Sequence, residues 1–224
     1  MQFGVYLTAD QRKKLAALMA AERARIRRWK QPRQKRIAKI ETPADRTLAR
    51  GKLKRDFNAA VAAGKFITKR DVLIEPAVVA QLDARGWFGE VDDDGVINPY
   101  PEVPEEHRGP GRRYGSTDIE QRYRKGDPYP GGSTTRRVGV VLSDEVGQRL
   151  ERACYHEHKH LVAQLEAFYG VYGDSPVLPD PRPGEEPSEL AKRYRDELRS
   201  EITTTGDILR AAIDHVIANP PQHG

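Results

Sequence analysis

Residues 136–153 read RRVGVVLSDEVGQRLERA, a short strand that runs directly into a helix. Val138, Val140 and Leu142 fall on one face and Arg137, Gly139 and Val141 on the other, the two-residue period of a half-buried strand. Ser143 stands where a helix N-cap belongs. Asp144 and Glu145 follow in the first turn, where the helix dipole favours anions. Val146, Leu150, Ala153 and Cys154 then recur at helical spacing, and the stripe continues through Leu161, Leu165 and Phe168 to a stop at Gly170. The pattern predicts one unbroken helix over 143–169.

The chain opens on the same pattern. In residues 1–18, MQFGVYLTADQRKKLAAL, Phe3, Val5 and Leu7 alternate with Gln2, Gly4 and Tyr6. Thr8 takes the cap position, with Gln11 at capping-box spacing. Phe3 set on Val138 puts Gly4 on Gly139, Val5 on Val140, Leu7 on Leu142, Thr8 on Ser143 and Leu15 on Leu150 without a gap. Either the unit is duplicated or two capped amphipathic helices each follow a strand. A third copy is expected at residues 73–82, aligned with 141–150, which makes residues 72–74 a strand and 76–85 a helix with Pro76 in its first turn.

Charge is distributed unevenly. Residues 1–70 carry 20 of the 38 Lys+Arg and 5 of the 33 Asp+Glu, a balance of +15. Residues 71–224 carry the remaining 18 and 28, a balance of −10. A basic third joined to an acidic remainder fits a polyanion-binding region, nucleic acid foremost. The alternatives are a basic helix neutralised within the fold or across an oligomer, and an anionic membrane surface. The densest stretch, residues 25–39, contains Arg25, Arg27, Arg28, Lys30, Arg33, Lys35 and Arg36, which phosphate neutralisation would use. It lies on a long helix from residue 9, which Pro32 should end near Trp29 and Lys30. Trp29 either stacks on a base or, as lone tryptophans more often do, packs in a small local core. The single cysteine, Cys154, excludes an intrachain disulfide, and no apolar run reaches membrane-spanning length. With no apolar signal core at the start, a cytoplasmic setting is expected.

Further along, residues 43–63 read as a basic helix that begins after the Thr42 cap and stops at Gly64. Residues 87–98 form a hairpin with Asp94-Gly95 at its tip. Residues 99–132 are rich in proline and glycine and read as a linker, interrupted by a short helix at 117–125. A second connector at 176–187 leads to a helix at 188–200, and the last helix spans 207–218. The expected division is 1–98 as a basic strand–helix domain with a hairpin, 99–132 as linker, 133–219 as a second strand–helix domain and 220–224 as a tail.

Catalytic and metal motifs fail on spacing. Asp92, Asp93 and Asp94 lack the alternate-position ligands and distant glutamate of a calcium loop. Gly109-Pro110-Gly111 lacks the Lys-Ser/Thr of a phosphate loop. On one continuous helix, His156 and His160 would share a face nearly opposite Cys154 and His158, so the four could not close on one ion. No nucleophile, base and acid set emerges. The reading is therefore non-enzymatic, with no cofactor and no metal.

The string at residues 137–153 resembles the start of the ribbon-helix-helix DNA-binding family, and TTTGDILRAAIDHVI at 203–217 resembles that family's second helix. The resemblance implies a fold that is mainly α with short β-strands, built of strand–helix units joined by the Pro/Gly-rich linker. Two antiparallel strands would form a ribbon that enters the major groove of double-stranded DNA. It implies Gln2, Gly4, Tyr6, Arg137, Gly139 and Val141 as outward ribbon residues, and Thr204, Thr205 and Gly206 as a phosphate clamp at a helix N-terminus. The ribbon would form within one chain or between two chains of a homodimer. The family's two helices are normally separated by a few residues, whereas here a connector and another helix intervene. The opening at residues 5–11 is similar to tandem forms among plasmid-transfer accessory proteins.

The expected function is thus a non-enzymatic DNA-binding regulator or a plasmid or phage DNA-handling accessory. The alternative is a protein-interaction or assembly module whose basic helices form an oligomer interface. The two differ in whether the basic face points outward. A winged-helix reader using residues 76–98 ranks below both, because that helix carries almost no base-reading side chains.

Overall fold

A computed structural model describes residues 1–105, 135–168 and 178–221. Seven helices and two small antiparallel sheets are present among them. The elements are β1 (Gln2–Thr8), α1 (Ala9–Ala38), α2 (Pro43–Ala62), α3 (Asp71–Ala84), β2 (Glu90–Val91), β3 (Ile97–Asn98), β4 (Thr135–Val141), α4 (Asp144–His156), α5 (Lys159–Phe168), α6 (Pro187–Glu201) and α7 (Thr205–Ala218). The linker helix expected at 117–125 and the Gly109-Pro110-Gly111 run lie outside the described residues.

β1 and β4 pair antiparallel within the one chain, with Gly4 opposite Gly139, Phe3 opposite Val140 and Val5 opposite Val138. The gap-free sequence alignment matches Gly4 with Gly139, Phe3 with Val138 and Val5 with Val140. The register is therefore symmetric about the glycine pair: a residue a given number of positions before Gly4 faces the counterpart of the residue the same number after it. Phe3, Val5, Leu7, Val140 and Leu142 are buried beneath the ribbon. Against them lie α3 and α7, which also pack on each other. These two helices are both 14 residues long. Their buried stripes are Ile74, Val78 and Leu82 on one and Ile208, Ala212 and Val216 on the other, at matching distances from each helix start. Residues 1–98 and 133–219 thus contribute to a single core, which Tyr100 and Val103 from the start of the Pro-rich segment also enter.

The first helices are anchored crosswise. Thr8 and Gln11 form the expected capping box at the start of α1, and Gln11 Nε2 donates to Asp214 Oδ1 of α7 at 2.8 Å. Ser143 caps α4, and the Glu75 carboxylate of α3 accepts from the Ser143 amide at 3.0 Å and hydroxyl at 2.7 Å. Each strand–helix start is therefore held by a helix from the other part of the chain.

Three expected boundaries are corrected. α1 does not end before Pro32 but continues to Ala38. A proline inside a helix disturbs the carbonyls one turn back; here Arg33 Nη1 donates to Trp29 O at 2.8 Å. The ring cluster of Trp29, Phe57 and Phe66 holds α1 against α2 before the break point, and Ile37 and Ala38 face Leu53 across a groove beyond it. Residues 72–74 are not a strand but the first turn of α3, so the middle copy of the strand–helix unit is overturned. Ile74, Ala77, Val78 and Leu82 gain a common buried face only as a helix, which outweighs the β preference of Val72 and Ile74. The helix over 143–169 is broken at Glu157 and His158 into α4 and α5.

The expected end of α2 and the expected hairpin turn are both present. α2 ends at Ala62, ahead of Gly64 with φ +72°. The hairpin turn is held by Asp92, whose Oδ1 accepts the amides of Asp94 and Val96 and whose Oδ2 accepts from Asn98. These bonds, that of Val96 foremost, hold the Asp92 carboxyl below its usual range, so the aspartate run serves a turn.

Leu7→Ala, at a fully buried ribbon position, should destabilise the chain by about 2–5 kcal/mol, because the cavity cannot collapse between strand and helices. Val141→Ala on the opposite face should stay within about 0.5 kcal/mol. Urea unfolding of the two variants checks both.

Candidate nucleic-acid interface

The strand period that buries Phe3, Val5 and Val140 turns Gln2, Gly4 and Tyr6 of β1 and Arg137, Gly139 and Val141 of β4 to the other face of the ribbon. Gln2 and Arg137 are exposed, Tyr6 is half-buried, and Val141 is 53% exposed. The cross-strand pairs are Gln2–Val141, Gly4–Gly139 and Tyr6–Arg137. Because the central pair lacks side chains, its neighbours fold over it. A Cβ placed on Gly4 would lie 2.2 Å from Arg137 Nε, and one on Gly139 would lie 3.3 Å from Gln2 Nε2. The outer face thus offers a guanidinium and a carboxamide over a flat centre. All six expected ribbon residues are brought together.

The flank of this face includes residues that the sequence reading missed. Arg70, just before α3, donates to the carbonyl oxygen of Gly139, and Lys69 beside it is exposed. A basic pair at a helix start is a readable signal, but residues 72–74 were expected to be a strand, which hid the helix start.

The expected phosphate clamp is partly occupied. Thr204 caps α7, and its amide and hydroxyl both donate to Asp207 Oδ2, at 2.9 and 2.7 Å. Thr204 and Gly206 are buried and Thr205 is half-buried. Asp207 in turn holds Arg210 at 2.5 Å. This helix start already contains a carboxylate, which lessens its pull on a second anion.

The basic residues of α1 divide by role. Arg25 is structural: its Nε lies 2.9 Å from Oε1 of the buried Glu22, it donates to Lys65 O, and it sits over the Phe66 ring. Lys30 Nζ lies 3.5 Å from the centre of the Phe57 ring. Arg33 covers Trp29 at 4.0 Å while remaining exposed. Arg27, Arg28, Lys35 and Arg36 are exposed. At 1.5 Å per residue the run from Arg25 to Arg36 lies roughly 24 to 40 Å along α1 from its first residue. It is a separate cationic surface, not an edge of the ribbon.

The histidine cluster has structural partners. His158 is buried, with Nδ1 3.2 Å from Cys154 O and Nε2 3.4 Å from the Thr203 amide, and its ring meets Trp87 edge-on. These contacts select the neutral tautomer that donates from Nδ1 and accepts at Nε2. His156 stacks on Tyr100 and bonds Pro101 O through Nε2 at 3.1 Å. Burial pushes both imidazoles below their usual range. Burial likewise raises the Cys154 thiol, which keeps it protonated and unreactive. Among the described residues no group of three or more His, Cys, Asp or Glu is placed to hold a metal ion, and no helix is long and apolar enough to cross a membrane.

The pH dependence follows from these histidines. A group depressed in the fold binds its proton more readily when unfolded, so its contribution is complete above the unfolded value of about 6.5 and is lost as pH falls below it. Urea midpoints should drop between pH 7.5 and 5.5, and His158→Leu should flatten that slope.

Comparisons with protein-family models, curated proteins and solved structures find no match for this chain.

Proposed function

We propose that this is a non-enzymatic DNA-binding protein, a regulator or a DNA-handling accessory of plasmid or phage type, built as a single-chain ribbon-helix-helix unit. In this reading β1, α1 and α3 form one half and β4, α4 and α7 the other. α2 is then an insertion between the two helices of the first half, and α5 and α6 are insertions in the second. This accounts for the long separation between first and second helices. The observation that carries the reading is the ribbon register, which is symmetric about Gly4 and Gly139 and leaves one face open. The matching stripes of α3 and α7 and the crosswise anchors from Glu75 and Asp214 support it.

The ribbon then lies in the major groove, with Gln2 and Arg137 against base edges. Lys69, Arg70 and the start of α7 face flanking phosphates. Arg27, Arg28, Lys35 and Arg36 add sequence-independent charge contacts farther along the duplex.

A second reading draws on the groove of about 470 Å³ between α1 and α2. Ile37, Leu53 and Phe57 lie among Lys30, Arg50 and Lys54 there, and Leu48 of α2 is 71% exposed. In that reading the hairpin of α1 and α2 seats another protein and the ribbon is only structural.

Fluorescence anisotropy of a labelled random duplex, titrated at several salt concentrations, separates the two. DNA binding predicts that log affinity falls linearly with log salt. The double variant Arg28→Ala/Arg36→Ala should lower that slope by about one per lost contact, whatever the DNA sequence. No binding at low salt by the folded chain overturns the DNA reading in favour of the second.

A further inference from the structure

We infer that the ribbon recognises a non-palindromic duplex element, with a guanine-reading half under Tyr6 and Arg137 and an adenine-reading half under Gln2 and Val141. This rests on the DNA-binding reading and names the class of target.

A ribbon made from two identical chains presents the same residues to both half-sites, so its target mirrors its two-fold symmetry. Here the backbone keeps the two-fold relation about Gly4 and Gly139, but the side chains do not. The position equivalent to Gln2 is Arg137, and the position equivalent to Tyr6 is Val141. Both pairs differ in the chemistry that reads bases. A guanidinium donates two hydrogen bonds to the O6 and N7 of guanine and has no acceptor. A carboxamide both donates and accepts, which matches N7 and N6–H₂ of adenine. Valine offers only apolar contact, the contact that suits a thymine methyl, whereas tyrosine adds a hydroxyl.

The cross-strand register sharpens the difference by sorting these residues to opposite ends. Tyr6 lies directly opposite Arg137, and Gln2 directly opposite Val141. One end of the outer face roots an arginine and a tyrosine, and the other a glutamine and a valine, with the guanidinium and the carboxamide reaching from their two ends over the glycine pair.

The starts of the two second helices differ as well. Arg70 stands immediately before α3, and Thr204 immediately before α7. The first is a guanidinium bonded to the ribbon carbonyl of Gly139 and paired with Asp71, the second a hydroxyl bonded to the carboxylate of Asp207. A palindrome offers one of these two halves the wrong bases, whichever way the chain lies on it.

The test uses the full-length chain. Selection from a randomised duplex library yields a preferred element, and two palindromes are then made by duplicating each of its halves. The element should be asymmetric, and the chain should bind it about ten- to hundredfold more tightly than either palindrome, the discrimination of one bidentate contact. Gln2→Arg, at an exposed position, should transfer the preference to the palindrome built from the guanine half. A palindromic consensus, or equal affinity for all three duplexes, overturns the inference. Salt-dependent binding without sequence preference also overturns it and leaves the DNA-binding reading standing, whereas no binding at all removes both. If Gln2→Arg does not fold, the three-duplex comparison with the unaltered chain decides alone.

Discussion

The antiparallel pairing of β1 with β4 is the constraint on which the rest of the molecule depends. It joins the first strand to one that begins at residue 135, so the chain closes a long loop before any ladder bond forms. A two-stranded ribbon cannot stabilise that closure alone. The free energy comes from Phe3, Val5, Leu7, Val140 and Leu142, which lose their solvent against α3 and α7. A slip of β1 by one residue against β4 would turn Phe3, Val5 and Leu7 outward, so burial fixes the register as well as the pairing.

Once the register is set, each strand–helix start, capped by its own residues, is also tied to the other half. Glu75 of α3 accepts from Ser143 at the start of α4, and Gln11 of the α1 cap donates to Asp214 on α7. α3 and α7 in turn share their stripes with each other. The result is an interlocked core, with α2, α5 and α6 attached to it. α2 has no buried residue of its own, and it is held to α1 through Phe57 and the Trp29 cluster.

Local signals were readable where the physics is local. Both strands, the Thr8 and Ser143 caps, the stop near Gly64 and the Asp-Gly turn all follow from residues close in sequence. The failures occur where tertiary contact outweighs local preference. Val72 to Ile74 look extended until α7 supplies a surface for a helical stripe. Pro32 looks terminal until Arg33 bonds back to Trp29 and the turn beyond the proline lies along α2. The break at Glu157 and His158 has no proline or glycine to announce it; His158 lies in it with its ring bonded to the Thr203 amide and packed on Trp87. The candidate site shows the same division. Period-two alternation identified the outer face of the ribbon, but composition could not tell that Arg25 is committed to a buried glutamate while Arg28 is exposed. Nor could it show that Lys69 and Arg70 flank the ribbon, because that depends on where α3 begins.

The glycine pair at the ribbon centre calls for a separate argument. Glycine weakens a strand interior by about 0.5–1 kcal/mol relative to alanine. Neither Gly4 nor Gly139 adopts a positive φ, so the backbone does not require it. Both lie on the outer face, so the core does not require it either. What the two glycines change is clearance: neither puts a side chain at the middle of the ribbon, and the side-chain atoms nearest to them among the described residues are the far ends of Arg137 and Gln2. Those ends are flexible and able to swing aside, whereas a central Cβ is fixed. A strand pair that gives up stability for a flat, clearable centre is suited to close approach by another surface. This is the property that the proposed ribbon seated in a groove requires; in the assembly reading the same glycines serve to make room for the Arg137 and Gln2 side chains that lie over them.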